Sequence, residues 1–137
     1  HTHRDHVGNV DAVRSAFGVE TLGYDPAHPA VDDALGETVR IGDDDCTVLH
    51  TPGHKDDHVC LYAPSASVCF AGDLVFANGS FGRTDLEEGD RETLVRSIDR
   101  LLDAVDPGLG ALHTGHGPSV TEGAYATIER AGQAARR

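Results

Sequence analysis

Three imidazoles and a carboxylate lie within the first six residues, His1-Thr2-His3-Arg4-Asp5-His6. With nine His and sixteen Asp in the chain, chance produces this pattern in roughly 0.5% of such sequences, which sets it above a short generic motif. Imidazole nitrogen and carboxylate oxygen are the donors that borderline divalent metals such as zinc prefer. Alternating residues in a tight turn can aim two histidines at one ion and the next Asp-His pair at a second. Three further residues suit the same site: His54 in Thr51-Pro52-Gly53-His54, Asp73 in Ala71-Gly72-Asp73, and His116 in Gly115-His116-Gly117-Pro118. Each follows a predicted strand, and glycine neighbours let backbone approach a metal site without a Cβ clash. Singly, a His after Pro-Gly also reads as a surface turn residue. Convergence of all these groups on one donor chemistry points to a metal centre.

The elements that must position these residues are short. The spacing of Val7, Val10, Val13 and Phe17 predicts a helix over residues 7–17, and residues 19–23 read as a short strand. Residues 24–37 hold two prolines, three aspartates and a glycine without a sustained period, which predicts a loop with a short helical turn. Residues 38–41, 46–50, 59–63 and 68–71 are apolar or β-branched between turn residues, and read as strands, with 64–67 closing a hairpin. Leu94, Ile98, Leu101, Leu102 and Val105 share one helical face behind a capping Asp90. Residues 109–113 give one more strand, and Thr121 is placed to cap a last helix ending near Ala135. No linker divides the chain, so residues 1–137 form one domain.

At 137 residues, with 39% apolar and 5% aromatic residues, the core is lean. No apolar run approaches the roughly 20 residues of a membrane-spanning helix, and no charged head precedes an apolar stretch as in a secretion signal, so the expectation is a soluble, cytoplasmic protein. The chain opens on His1 rather than Met, which suggests a piece of a longer protein. Twenty-three acids against eleven bases give a net charge of -12, with Lys55 the only lysine. Such a surface repels itself in dilute buffer, and molar salt shortens the Debye length to roughly 3 Å, which suggests a salt-adapted protein. An unfolding midpoint that rises with molar salt is its test. The acid excess also argues against nucleic acid or an anionic membrane as partner. Cys46, Cys60 and Cys69 are odd in number, lie in apolar contexts and lack C-x-x-C spacing, so they read as reduced core residues.

The ordered motifs His1/His3/Asp5/His6, His54, Asp73 and His116 resemble those of the metallo-β-lactamase superfamily along the whole chain. The resemblance implies the α/β class, as part of an αβ/βα sandwich with a two-metal site on its edge. His1, His3 and His54 would hold the first metal, Asp5, His6 and His116 the second, with Asp73 bridging. Two zinc ions are the implied cofactor, one iron the alternative, and Asp5 and Asp73 the implied catalytic carboxylates that orient the attacking water or shuttle its proton. The family carries a first sheet ahead of the His-rich motif, so roughly half the sandwich is expected to be missing here, leaving one sheet face unprotected. Zinc β-lactamases with a cysteine ligand place Cys where this chain has Gly72-Asp73, which directs the resemblance to the hydrolase branch.

Gly82-Arg83-Thr84-Asp85-Leu86 is similar to glyoxalase-II-like thioesterases and the related persulfide dioxygenases. His3-Arg4-Asp5-His6 with Asp56-Asp57-His58 is similar instead to a lactamase-like group that includes endoribonucleases. With only about twenty residues after His116, the helical extension that binds glutathione in glyoxalase II is expected to be missing, which weakens a glutathione thioester as the substrate. The implied activity is hydrolysis of a small-molecule ester or thioester, with a mononuclear iron persulfide dioxygenase or an endoribonuclease as alternatives. A purely structural metal site fits less well, because Asp and His donors leave open positions. Arg83 either holds a substrate carboxylate or pairs with Asp85. His58 is expected to support a ligand from behind rather than to assist the reaction. His28, His50 and His113 read as solvated or core-satisfied, Tyr62 as a core strand residue, and Lys55 as a surface charge beside a ligand.

Overall fold

Alternating apolar residues between Thr38 and Gly72 give strands that bury one face each, and the computed structural model, which describes residues 1–137, joins them in one sheet. The elements run α1 (Arg4–Val7), α2 (Val10–Phe17), β1 (Leu22–Gly23), β2 (Asp33–Ala34), β3 (Thr38–Ile41), β4 (Asp44–His50), β5 (Val59–Ala63), β6 (Val68–Gly72), α3 (Arg91–Ala104), β7 (Ala111–Thr114) and α4 (Ala124–Ala135). The five-stranded sheet has the order β3-β4-β5-β6-β7, antiparallel as far as β6 and parallel between β6 and β7. A parallel pair needs a crossover, and α3 supplies it. The C-terminal ends of β4, β6 and β7 therefore lie on the same edge.

Cys60, Tyr62, Cys69, Ala71 and Leu112 from the sheet meet Leu94, Ile98 and Leu101 of α3 and Ile128 and Ala131 of α4 in one core. The Asp90 carboxylate accepts the Thr93 N–H at 2.7 Å and caps α3 as its position predicts. The three thiols are free and buried, and burial pushes Cys60 up to about 12. Tyr62 sits in the core, its hydroxyl accepting the Asp106 N–H at 3.2 Å.

The opposite sheet face is only partly covered, as expected. Ile41 and Phe70 are 41% and 37% exposed, and a cavity of about 380 Å³ lies between Val39 and Leu61 of the sheet and Val10, Leu22 and Val31 above it.

Several boundaries differ from the sequence pattern. The helix expected over 7–17 begins at Arg4 and breaks at Gly8 and Asn9, both poor helix formers. Residues 24–37 are not all loop and form no helix: Asp33–Ala34 pairs in parallel with Leu22–Gly23, a contact too short to show a period. β4 starts two residues early because Asp44 and Asp45 pair with Ile41 and Arg40 across the turn. Leu109 is buried yet precedes β7. Thr121 does not cap α4; that place belongs to Gly123, at φ 65°, whose carbonyl accepts the Thr127 hydroxyl.

One polar clasp ties α2 to the β1–β2 segment. Asp32 accepts the Thr21 N–H at 2.7 Å and the Arg14 Nε–H at 3.0 Å. The Thr21 amide, then its hydroxyl and Arg14, hold the Asp32 carboxyl below its ordinary value. The stabilisation is thus complete above the ordinary carboxylate pKa and disappears as pH falls through the lowered one. Asp32→Asn should lower the unfolding temperature near neutral pH and match the parent in strong acid, read by thermal unfolding across the acid range. A constant gap at every pH would contradict the clasp.

Candidate metal centre

The seven donor residues meet at the shared strand edge. His1 and His3 precede α1, Asp5 and His6 sit on it, His54 follows β4, Asp73 follows β6 and His116 follows β7. One oxygen, Asp73 Oδ2, lies 3.3 Å from His6 Nε2, 3.4 Å from His116 Nε2, 3.5 Å from His54 Nε2 and 3.8 Å from His1 Nε2. His3 Nδ1 approaches His54 Nε2 at 3.0 Å, and Asp5 Oδ2 lies 3.1 Å from His116 Nε2 and 3.6 Å from His6 Nε2. The donor atoms of His1, His3 and His54 form one group and those of Asp5, His6 and His116 another. His1, His6 and Asp73 form a third between them.

These separations match what a metal requires. Four ligands at about 2.1 Å in a tetrahedron stand about 3.4 Å apart. Two buried polar atoms, His1 Nε2 and Asp73 Oδ1, have no hydrogen-bond partner, although Asp73 is only 5% exposed. A buried polar atom without a partner costs about 1–3 kcal/mol, more for a charge, and a cation between the donors removes that cost. Burial is the main cause that lowers His3, favouring the neutral imidazole that a metal needs.

Neighbouring groups fix the donors. His54 Nδ1–H donates to the Arg83 carbonyl at 2.8 Å, which turns Nε2 inward. His58, fully buried, accepts the Asp73 N–H on Nε2 at 3.0 Å and so donates from Nδ1 to the Thr51 hydroxyl at 2.8 Å. It supports Asp73 from behind, and burial keeps it well below its ordinary value, hence neutral. The Asp57 carboxylate takes both the N–H and the hydroxyl of Thr2, anchoring the segment between His1 and His3. Thr2, Thr51 and Asp57 escaped the sequence reading of the site, because a hydroxyl beside a ligand has no periodic signature. The adjacent acids of Asp56-Asp57-His58 were the available signal.

The Arg83 guanidinium forms a bidentate pair with Asp85 at 2.8 and 2.7 Å. Lys55 is not a surface charge. It is 9% exposed and bonded to Glu88 at 2.6 Å and Asp56 at 3.0 Å; burial alone would lower its ammonium, and these acids raise it instead. His28, His50 and His113 stay outside the cluster, bonded to the Ala30 N–H, the Asp56 carbonyl and the Ser119 hydroxyl.

A family model described as the metallo-beta-lactamase superfamily matches residues 21–122. The chain belongs to this superfamily. Within the superfamily, a hydroxyacylglutathione hydrolase, GloC, of Haemophilus influenzae is 31% identical over 90% of this chain and 68% of its own length. A hydroxyacylglutathione hydrolase of Chromohalobacter salexigens is 36% identical over 80% of this chain and 43% of its own length. An uncharacterized protein of Aquifex aeolicus is 36% identical, with 74% of this chain covering 58% of the relative. The chain thus spans about half to two thirds of the length of these curated relatives. Among solved structures, the B3 metallo-beta-lactamase BLEG-1 superposes with a TM-score of 0.75 at 34% identity, over 90% of this chain and 70% of that one. TTHA1623, in a di-iron-bound form, gives 0.74 at 34% identity, over 92% and 71%. ETHE1 from Myxococcus xanthus shares the fold at 0.76 and 23% identity, over 100% and 66%.

A Cβ at Gly115 would stand 2.1 Å from Asp73 Oδ1 and 2.9 Å from His6 Cε1. Gly115→Ala should therefore weaken metal binding by about 10–100-fold, the range of disturbed ligand support, with the helical circular dichroism retained. Titration against a chromophoric chelator reads the change, and unaltered affinity would refute this packing.

Proposed function

We propose that this chain carries the active site of a dinuclear zinc hydrolase that opens a thioester or related small ester. The observation that carries the reading is the closure of four imidazoles on the buried Asp73 carboxylate beside an exposed Asp5. The relatives named hydroxyacylglutathione hydrolase favour a thioester. His1, His3 and His54 would hold one ion, Asp5, His6 and His116 the other, and Asp73 both. When bound, such ions lower the pKa of water from 15.7 toward about 7 and polarise the acyl oxygen.

The remaining work falls to residues of the chain. Asp5 has a side chain 59% exposed and only Oδ2 against His6 and His116, so its other oxygen can hold the proton of the attacking water. Asp73, at 7% side-chain exposure and fixed through its own amide to His58, keeps one orientation. Phe76 and Phe81 line the cleft over these donors and exclude water around the acyl group. Arg83 orients His54 through its carbonyl. Iron in place of zinc is the alternative favoured by the di-iron form of TTHA1623. The protein is read as acting in the cytoplasm, and no helix is long and apolar enough to cross a membrane.

Asp5→Asn should keep most of its metal while losing about 10²–10⁴ in kcat, and Asp73→Asn should lose metal as well. Metal content and turnover of a thioester, a phosphodiester and a β-lactam, measured in parallel, test this. Turnover of the phosphodiester or the β-lactam alone would refute the proposed substrate class, and full activity in both variants would refute the roles.

A further inference from the structure

Arg4 is the exception among the cationic side chains. The chain has eleven Lys and Arg against 23 acids, so partners are abundant. Every other cation before the terminal Arg137 is bonded to a carboxylate, carbonyl or hydroxyl of the chain. Arg4 forms no ion pair or hydrogen bond through its guanidinium, although Asp5 is its neighbour; the Asp5 carboxylate faces His116 and His6 instead. It is exposed, and it lines a cavity of about 560 Å³ together with His3, Asp73, His116, Phe76 and Phe81. The other arginine of this cavity, Arg83, is closed onto Asp85.

An arginine left free beside a reaction centre is a recognition element, since its planar fork matches an oxyanion in two parallel hydrogen bonds. Its backbone is fixed as well, because Arg4 follows the segment that Asp57 anchors through Thr2. A placed cation costs less ordering on binding than a free surface one. We propose that Arg4 is the specificity residue of the cleft, and that it selects substrates carrying an oxyanion, carboxylate or phosphate, in addition to the bond that is cleaved. The cavity would then take an acyl compound with an apolar middle against Phe76 and Phe81 and a charged end at Arg4. This deepens the hydrolase reading above and rests on it.

The test uses the full-length protein carrying its metals and three thioesters of N-acetylcysteamine: the adipoyl compound, its terminal amide, and its terminal phosphonate. The parent should prefer the carboxylate or the phosphonate over the amide by about 10–100-fold in kcat/KM, the better of the two naming the oxyanion. In Arg4→Gln that ratio should fall to near one, chiefly through KM, and Arg4→Lys should restore part of it. Arg83→Ala should leave the ratio in place. A parent without preference, or an Arg4→Gln that keeps it, overturns the assignment. If no thioester is turned over, the thioester reading of the substrate fails, and calorimetric titration with adipate and its monoamide decides the anion site separately. Each has one carboxylate for the metals, so a tenfold advantage of adipate that vanishes in Arg4→Gln supports Arg4, and equal affinities overturn it.

Discussion

A carboxylate buried at the end of β6 governs this structure. Asp73 is 5% exposed, one of its oxygens has no partner, and the other faces four imidazoles within 3.8 Å. Such a charge is costly out of water unless it is compensated, and a cation among these donors would compensate it only if they keep a fixed arrangement. The surroundings supply that arrangement. The parallel pairing of β6 with β7 brings Gly115 against Gly72, with a 2.7 Å hydrogen bond between them, and so sets His116 beside Asp73. Because β4 runs in the same direction, His54 arrives at the same edge.

The packing behind the sheet serves the same end. The Cβ that Gly53 lacks would fall 2.3 Å from the Leu94 nitrogen, so α3 can seat directly on the turn that carries His54. Gly53 and Pro52 give their carbonyls to the Asp90 N–H and the Ser97 hydroxyl. Leu94 and Ile98 of that helix are core residues, so the core and the donor turn are joined through one element. Donors held this way meet a metal or a reacting group without reorganising, which is where electrostatic catalysis gains most.

The cluster of seven His and Asp residues was legible in the sequence because its chemistry is concentrated: three imidazoles and one acid in a hexapeptide, then single His or Asp residues in glycine turns after strands. The main strands and α3 were legible because each shows one apolar face over enough residues to define a period. β2 and the break at Gly8 were not, since two paired residues or one turn of helix carry no period. The burial of Lys55 has no local signature, because its partner Glu88 lies 33 residues on, a distance no local pattern spans. The pairing of Arg83 with Asp85, two residues apart, was visible as one of two options, because an arginine beside an acid suits an ion pair and an anion site equally.

The most direct measurement is anomalous X-ray scattering at the zinc and iron edges from crystals of the metal-loaded protein. Two peaks are expected, one among His1, His3 and His54 and one among Asp5, His6 and His116, both absorbing at the zinc edge. A single peak, or none within these residues, would contradict a dinuclear centre built on Asp73.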